Sequence, residues 1–191
     1  MFVKEFVEQL RRRHRVDVAS VEGARKDPIS KAWKASLLTI RTASRIVKRY
    51  DIVHAHYMFP PGFLALLHRL RGAPVVVHCH GSDLYVRARG PLGGAVRFVL
   101  RKADFVLCVS EELRRIAIEM GAEADRTDVL PMGVDVSRIS PMDRRASREE
   151  IGLPEEGTII TQVGALIERK RPLLSLKVFS DLVKEGMDLY L

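Results

Sequence analysis

Short apolar runs alternate with amphipathic stretches along the chain. The opening "FVKEFVEQLRRR" places Phe2, Phe6, Val7 and Leu10 at helical spacing. "RVDVASV", residues 15–21, reads as a strand, and residues 31–50, "KAWKASLLTIRTASRIVKRY", as an amphipathic helix. Its apolar side carries Trp33, Leu37, Ile40, Ala43, Val47 and Tyr50, and its polar side Lys34, Arg41, Arg45, Lys48 and Arg49. "DIVHAHY", residues 51–57, is a strand, followed by the turn "FPPG" and a helix through "FLALLHRL". "APVVVHCHG", residues 73–81, is a continuous apolar run of the kind buried on both faces of a parallel sheet. The helix "AVRFVLRKA", the strand "DFVLCVS", the helix "EELRRIAIEMGA" and the short strand in "TDVLPMGVD" complete the series. Past a polar stretch, the strand "TIITQVGAL", the helix "PLLSLKVFSDLVKEG" and the strand start "MDLYL" restart it.

This alternation predicts an α/β fold with a doubly wound, Rossmann-like parallel sheet. Residues 137–157 are polar and contain Pro141, Gly152, Pro154 and Gly157, which marks a domain boundary. The expected organisation is a first domain over 1–140, a linker over 141–157 and the first strand-helix unit of a second domain over 158–191. The chain opens on a helix where such folds open on a strand, and it ends soon after the pattern restarts. It is expected to be a fragment.

Charge sharpens this picture in one place. Of 32 Lys+Arg and 24 Asp+Glu, the first 50 residues hold 13 and 5, so the whole excess of +8 sits there. That points to an anionic partner for the N-terminal quarter, either a membrane surface, phosphates or nucleic acid. Cys79 and Cys108 lie in apolar strands and read as buried free thiols in a reducing compartment. A non-catalytic module docking on an anionic surface through residues 31–50 is one reading that charge alone supports.

The candidate chemistry clusters at strand ends, where open parallel sheets bind ligands. His56, His80 and Ser110 fall there, in "VHAH", "HCHG" and "LCVS". Residues two apart share a strand face, so His54 pairs with His56 and His78 with His80. A metal reading takes His56, His80 and Asp83, as in a metal-dependent hydrolase, but no downstream group is placed to complete it. His54 and His78 read as hydrogen-bonded members of the sheet layer. Gly81 permits close backbone approach, and Ser82 or Asp83 can cap the next segment. In "VGALIERKRP", Gly164 ends a strand, and Arg169 and Lys170 precede a helix N-terminus; this is either a diphosphate clamp or a solvated charged loop. There is no nucleophile elbow, no Walker A motif and no complete G-x-G-x-x-G.

Five ordered segments, "YDIVHAHYMFPPG", "PVVVHCHGSDL", "KADFVLCVSEELRRIAIEMG", "DVLPMGVDVSRISP" and "ITQVGALIERKRP", together resemble the family 4 retaining glycosyltransferases of GT-B fold. The resemblance covers almost the whole chain. It implies two Rossmann-like domains facing across a cleft, with the acceptor on the N-terminal side and most of a nucleotide-sugar donor on the C-terminal side. By position, it implies His80 against the donor sugar or its phosphate, as the catalytic residue. Gly81, Ser82, Asp83, Ser110, Gly133, Gly164, Arg169 and Lys170 would bind the donor, and His56, Tyr57, Pro61 and Gly62 would border the acceptor. Within the family the likeness is to enzymes acting on lipid-linked or cell-surface polysaccharide acceptors at the cytoplasmic membrane face. No metal cofactor and no nucleic acid is implied. Ala165 stands where the family often has Arg, and Met132 where it has Asn. The family's two-glutamate motif would lie beyond Leu191, so a chain with these bounds is expected to be inactive alone.

Overall fold

A computed structural model describes residues 2–21, 28–85, 88 and 90–190; of these, the side chains of 2, 28–32, 34, 35 and 169 lie outside the description. It divides into two compact units, Met1–Gly133 and Val134–Leu191.

The first unit opens with helix α1 (Phe2–Arg11) and helix α2 (Pro28–Ala43). Strand β1 (Val53–His56) runs into a turn over Met58–Gly62, and the short helix α3 (Phe63–Ala65) continues as a 3₁₀ turn to Arg71. Next come β2 (Val75–Cys79), α4 (Ser82–Tyr85), α5 (Gly93–Lys102), β3 (Phe105–Cys108), α6 (Glu111–Glu119) and β4 (Thr127–Val129). The four strands form one sheet in the order β1-β2-β3-β4, and every pairing is parallel. This is the sheet that the alternation predicted.

Register explains how the two sheet faces differ. Val53 pairs with Val75, Val77 with Val106, and Cys79 with Cys108. Strand side chains alternate, so Ala55, Val75, Val77, Cys79, Val106 and Cys108 share one face. All six are buried and join Met58, Val96, Val99 and Leu100 in the core. The opposite face holds His54, His56, Val76, His78, Phe105 and Leu107, of which only His78 is fully buried. Residues 73–81 were expected to be buried on both faces. Val75, Val77, His78 and Cys79 are buried and Val76 half-buried; the faces differ in composition, one packed with aliphatic side chains and the other lined largely by imidazole.

Two further expectations change. "RVDVASV" joins no sheet; Asp17 within it instead accepts hydrogen bonds from Lys48 Nζ (2.9 Å), Tyr50 Oη (2.9 Å) and Arg45 Nε (3.2 Å). The helix expected over 31–50 stops at Ala43. On its apolar side Trp33 and Ile40 are 70% and 65% exposed, while Leu37 is half-buried. Its basic side is partly committed internally, because Arg41 donates to the Ser20 carbonyl and Arg45 and Lys48 bond Asp17. Lys34, also assigned to that side, has its side chain outside the description. No described helix is long and apolar enough to cross a membrane.

The second unit contains α7 (Arg144–Glu150), β5 (Thr158–Ile159), α8 (Pro172–Lys184) and β6 (Leu189–Tyr190). The segment expected as a linker, 141–157, therefore carries a helix, capped by the Asp143 carboxylate accepting from the Ala146 N–H at 2.9 Å. Of the strand expected over 158–166, Thr158–Ile159 form β5, paired in parallel with Leu189–Tyr190.

Candidate functional site

Of the side chains singled out at the strand ends, His56 and His80 come together on the imidazole-lined face. His56 lies opposite His78 across β1 and β2. Nearly parallel rings run His54–His56 (4.7 Å between centroids), His56–His78 (5.4 Å), His78–His80 (4.7 Å) and His56–His80 (5.1 Å). A hydrogen bond of 2.9 Å joins His56 Nδ1 and His80 Nε2, and the Tyr57 ring leans on His80 at 4.8 Å. Phe6 of α1 meets His54 and His56 edge-on, at 5.4 and 5.5 Å. The sequence offered no sign that Phe6 would reach this face, because its helical spacing marks it only as apolar.

Burial, and after it the nearby histidines, push His54, His56 and His80 each down to about 4. His78 is lowered by burial too, opposed by its 3.2 Å hydrogen bond to the Leu130 carbonyl. The four imidazoles are therefore neutral at pH 7, each presenting one donor and one acceptor nitrogen. His54 and His78 were expected to be hydrogen-bonded histidines of the sheet layer. That holds for His78 Nε2, but His54 Nε2 and His78 Nδ1 are buried without a hydrogen-bond partner.

Local backbone geometry sets the loop after β2. Gly81 has φ +90°, a region costly for residues with a Cβ. The chain turns there into α4, whose first residue is Ser82. Asp83 is completely buried, and its carboxylate accepts the His80 N–H at 3.1 Å. Burial pushes that carboxyl up, opposed by the backbone N–H groups of Asp83, His80, Met58 and Leu84. Asp83 thus anchors the loop that carries His80. Its oxygens are turned to backbone N–H groups.

The turn after β1 is held as closely. Tyr57 adopts φ 76° and donates its N–H to the His78 carbonyl, and Gly62 donates to the Tyr57 carbonyl at 3.0 Å. Pro61 lies within the turn, and a Cβ on Gly62 would sit 3.0 Å from the Tyr57 oxygen and 3.1 Å from Val99. Ser110 caps α6, its hydroxyl accepting the Leu113 N–H at 3.3 Å. Gly133 is exposed at the end of the first unit.

The remaining expected residues belong to the second unit. Gly164 is exposed with open space around it. Lys170 is exposed in a 3₁₀ turn over Glu168–Lys170 that leads through Arg171 into α8. The backbone of Arg169 lies in that turn.

Comparison with known proteins agrees with this architecture. Residues 1–138 match the family model described as Glycosyltransferase Family 4. A D-inositol 3-phosphate glycosyltransferase of Nocardia farcinica is 31% identical over 71% of this chain and 32% of that protein. One of Mycobacterium tuberculosis is 31% identical over 70% of this chain and 30% of the relative. The chain thus spans about a third of the length of these curated relatives. Among solved structures, Anabaena Alr3699/HepE in complex with UDP-glucose superposes with TM-score 0.60 at 20% identity, over 93% of this chain and 47% of that one. UDP-N-acetylglucosamine 2-epimerase from Rickettsia bellii gives 0.51 at 18%, over 96% and 51%. At such identities the likeness speaks for the fold alone, a Rossmann-like arrangement of GT-B type. With most of its length matched by the family model and its four-stranded parallel sheet in place, the chain belongs to glycosyltransferase family 4.

Proposed function

We propose that this chain supplies the acceptor-side part of an enzyme that transfers a sugar from a nucleotide sugar to a hydroxyl acceptor, with retention of configuration. The observation that carries this reading is the placement of His56, Tyr57 and His80 in mutual contact where β1 and β2 end, in a chain of this family. His80 then faces the donor sugar or its phosphate, held by His56 and by the loop that Gly81, Ser82 and Asp83 shape. Ser110 and Gly133 join the donor side, and Tyr57, Pro61 and Gly62 border the acceptor. In the second unit, Gly164, Arg169, Lys170 and the start of α8 neutralise the departing diphosphate. Such a site works by positioning both substrates and stabilising leaving-group charge, so it uses no protein nucleophile and no metal cofactor.

The relatives are named for inositol 3-phosphate, which favours a phosphorylated polyol over the lipid-linked or polysaccharide acceptor expected from sequence. The test is NMR titration of the labelled chain with UDP-glucose, with D-inositol 3-phosphate and with a lipid-linked sugar. Saturable shifts at Tyr57, Gly62 and His80 are expected with the inositol phosphate. Shifts at those positions with the lipid-linked sugar alone would restore the other acceptor class. No shift with any nucleotide sugar or acceptor sinks the reading.

A second reading concerns where the protein works. Trp33 and Ile40, seven residues apart on α2, are exposed beside Arg41. This fits a cytoplasmic protein lying on the anionic inner face of a membrane through α2, with the bilayer surface rather than nucleic acid as the anionic partner. Sedimentation with anionic vesicles checks it: Trp33→Ser with Arg41→Glu should abolish binding, and unchanged binding removes the idea.

A further inference from the structure

His54, His56 and His78 each offer one ring nitrogen, and these three atoms lie within 4.8 Å of one another. We propose that the three form a binding site for a divalent late-transition cation of the zinc class, with His80 and the Leu130 carbonyl as the outer partners that orient them. Neutral imidazole is a ligand that zinc, copper and nickel share. Three protein nitrogens with a fourth position left open is an established arrangement for zinc.

The hydrogen-bond pattern favours this over a simple stack of rings. His78 Nε2 meets a carbonyl oxygen, which only accepts, so Nε2 carries the proton and Nδ1 keeps its lone pair. That Nδ1 is buried and unpartnered, as is Nε2 of His54. A bare buried acceptor is unfavourable, and a bound cation removes the penalty. A metal-ligating histidine ordinarily donates its other ring N–H to a carbonyl or another polar group; His78 already does so to Leu130. A 2.9 Å hydrogen bond between His56 Nδ1 and His80 Nε2 fixes the orientation of the His56 ring.

The distances require a modest adjustment. Two nitrogens on one tetrahedral zinc stand about 3.4 Å apart, given bonds of roughly 2.0–2.1 Å. The rings are stacked, so they must tilt as well as approach for their lone pairs to converge. The terminal torsion of histidine is broad and permits this. Phe6, packed edge-on against His54 and His56, covers the cluster on one side. Cys79 and Cys108 lie on the opposite sheet face by register and do not contribute. The site does not depend on glycosyl transfer, and its readout is metal alone.

The chain, stripped with a chelator, is titrated with zinc against a chromophoric competitor, and separately with cobalt(II). One zinc per chain is expected, with a zinc-dependent rise in Tm and visible cobalt absorption of a low-coordinate nitrogen site. His54→Gln should weaken zinc binding by about 100-fold and remove the Tm shift, and His80→Gln by about 10-fold. His14→Gln, on the exposed end of the segment after α1, should change nothing. Less than half a zinc per chain overturns the proposal, as does unchanged affinity in His54→Gln. A thiolate-to-cobalt charge-transfer band, which would place the metal on the cysteines, overturns it too. If His54→Gln does not fold, His56→Gln is read by the same criteria, and the cobalt spectrum of the parent chain decides without any variant.

Discussion

The two units of this chain are written in the same sequence pattern, yet they bury it differently. In Met1–Gly133 the four-stranded sheet and its helices enclose Val75, Val77, Val96, Val99 and Leu100, each essentially without solvent contact. In Val134–Leu191 the equivalent pattern surrounds a two-stranded sheet, and the apolar residues of α8 remain open: Leu173, Leu174, Leu176, Val178 and Val183 are all exposed. Among the described residues the only buried side chain of the second unit is Arg148. An amphipathic helix buries its stripe only if the sheet beneath is wide enough to receive it. Identical periodicity therefore yields a hydrophobic core in one unit and an uncovered face in the other.

The comparison can be broken most directly at the core. Leu100→Ala should destabilise the first unit by about 2–5 kcal/mol in urea unfolding, through lost transfer energy and a cavity. Leu173→Ala on α8 should change stability by no more than about 0.5 kcal/mol. Equal effects would mean that the second unit buries α8 after all.

Glycine sharpens the contrast on a smaller scale. Gly62→Ala meets the Tyr57 carbonyl and Val99, and should cost about 1–3 kcal/mol through overpacking. Gly133→Ala has open space around it and should be near neutral. The second unit has one polar counterpart to the buried core. Arg148 donates to the carbonyls of Pro154 (3.2 Å), Glu155 (2.7 Å) and Gly157 (3.1 Å). Arg148→Met should loosen that loop by about 1–3 kcal/mol, read as faster hydrogen exchange at 155–157 with the first unit unaffected.

The smallest effect is electrostatic. Lys48, Tyr50 and Arg45 hold the Asp17 carboxyl well below the usual carboxylate range, with burial opposing them. A carboxyl whose pKa is lowered by folding contributes stability above its unfolded value near 3.8, and that contribution is lost as pH falls through the lower folded value. With the side chain 30% exposed, about 0.5–1 kcal/mol is expected. Asp17→Asn should flatten the acid limb of the stability curve below about pH 4, and an unchanged limb would discount the cluster.

Much of the architecture was legible before any coordinates. Apolar runs at β1, β2 and β3 stood out because a parallel strand in the sheet centre has little polar surface to show. The helices that begin at Glu111 and Pro172 were legible from the runs "EELRRIAIEMGA" and "PLLSLKVFSDLVKEG". The misreadings share one cause. "RVDVASV" has strand composition, but no strand among the described residues pairs with it, and of "TIITQVGAL" only Thr158–Ile159 pair, with β6. Trp33 and Ile40 obey helical periodicity, which says which residues share a side but not whether anything covers it.

The candidate site divides along the same line. Sequence alone determined that two His-x-His elements sit at strand ends, that a glycine follows the second, and that the ordered motifs are those of glycosyltransferase family 4. These follow from local spacing and chain order. Only the tertiary structure decided that His56 lies opposite His78, that four imidazoles stack into one cluster edged by Phe6, and that Asp83 faces the backbone. Those outcomes depend on the register between strands more than 20 residues apart in the chain, and a one-residue slip would have turned every one of these side chains to the other face.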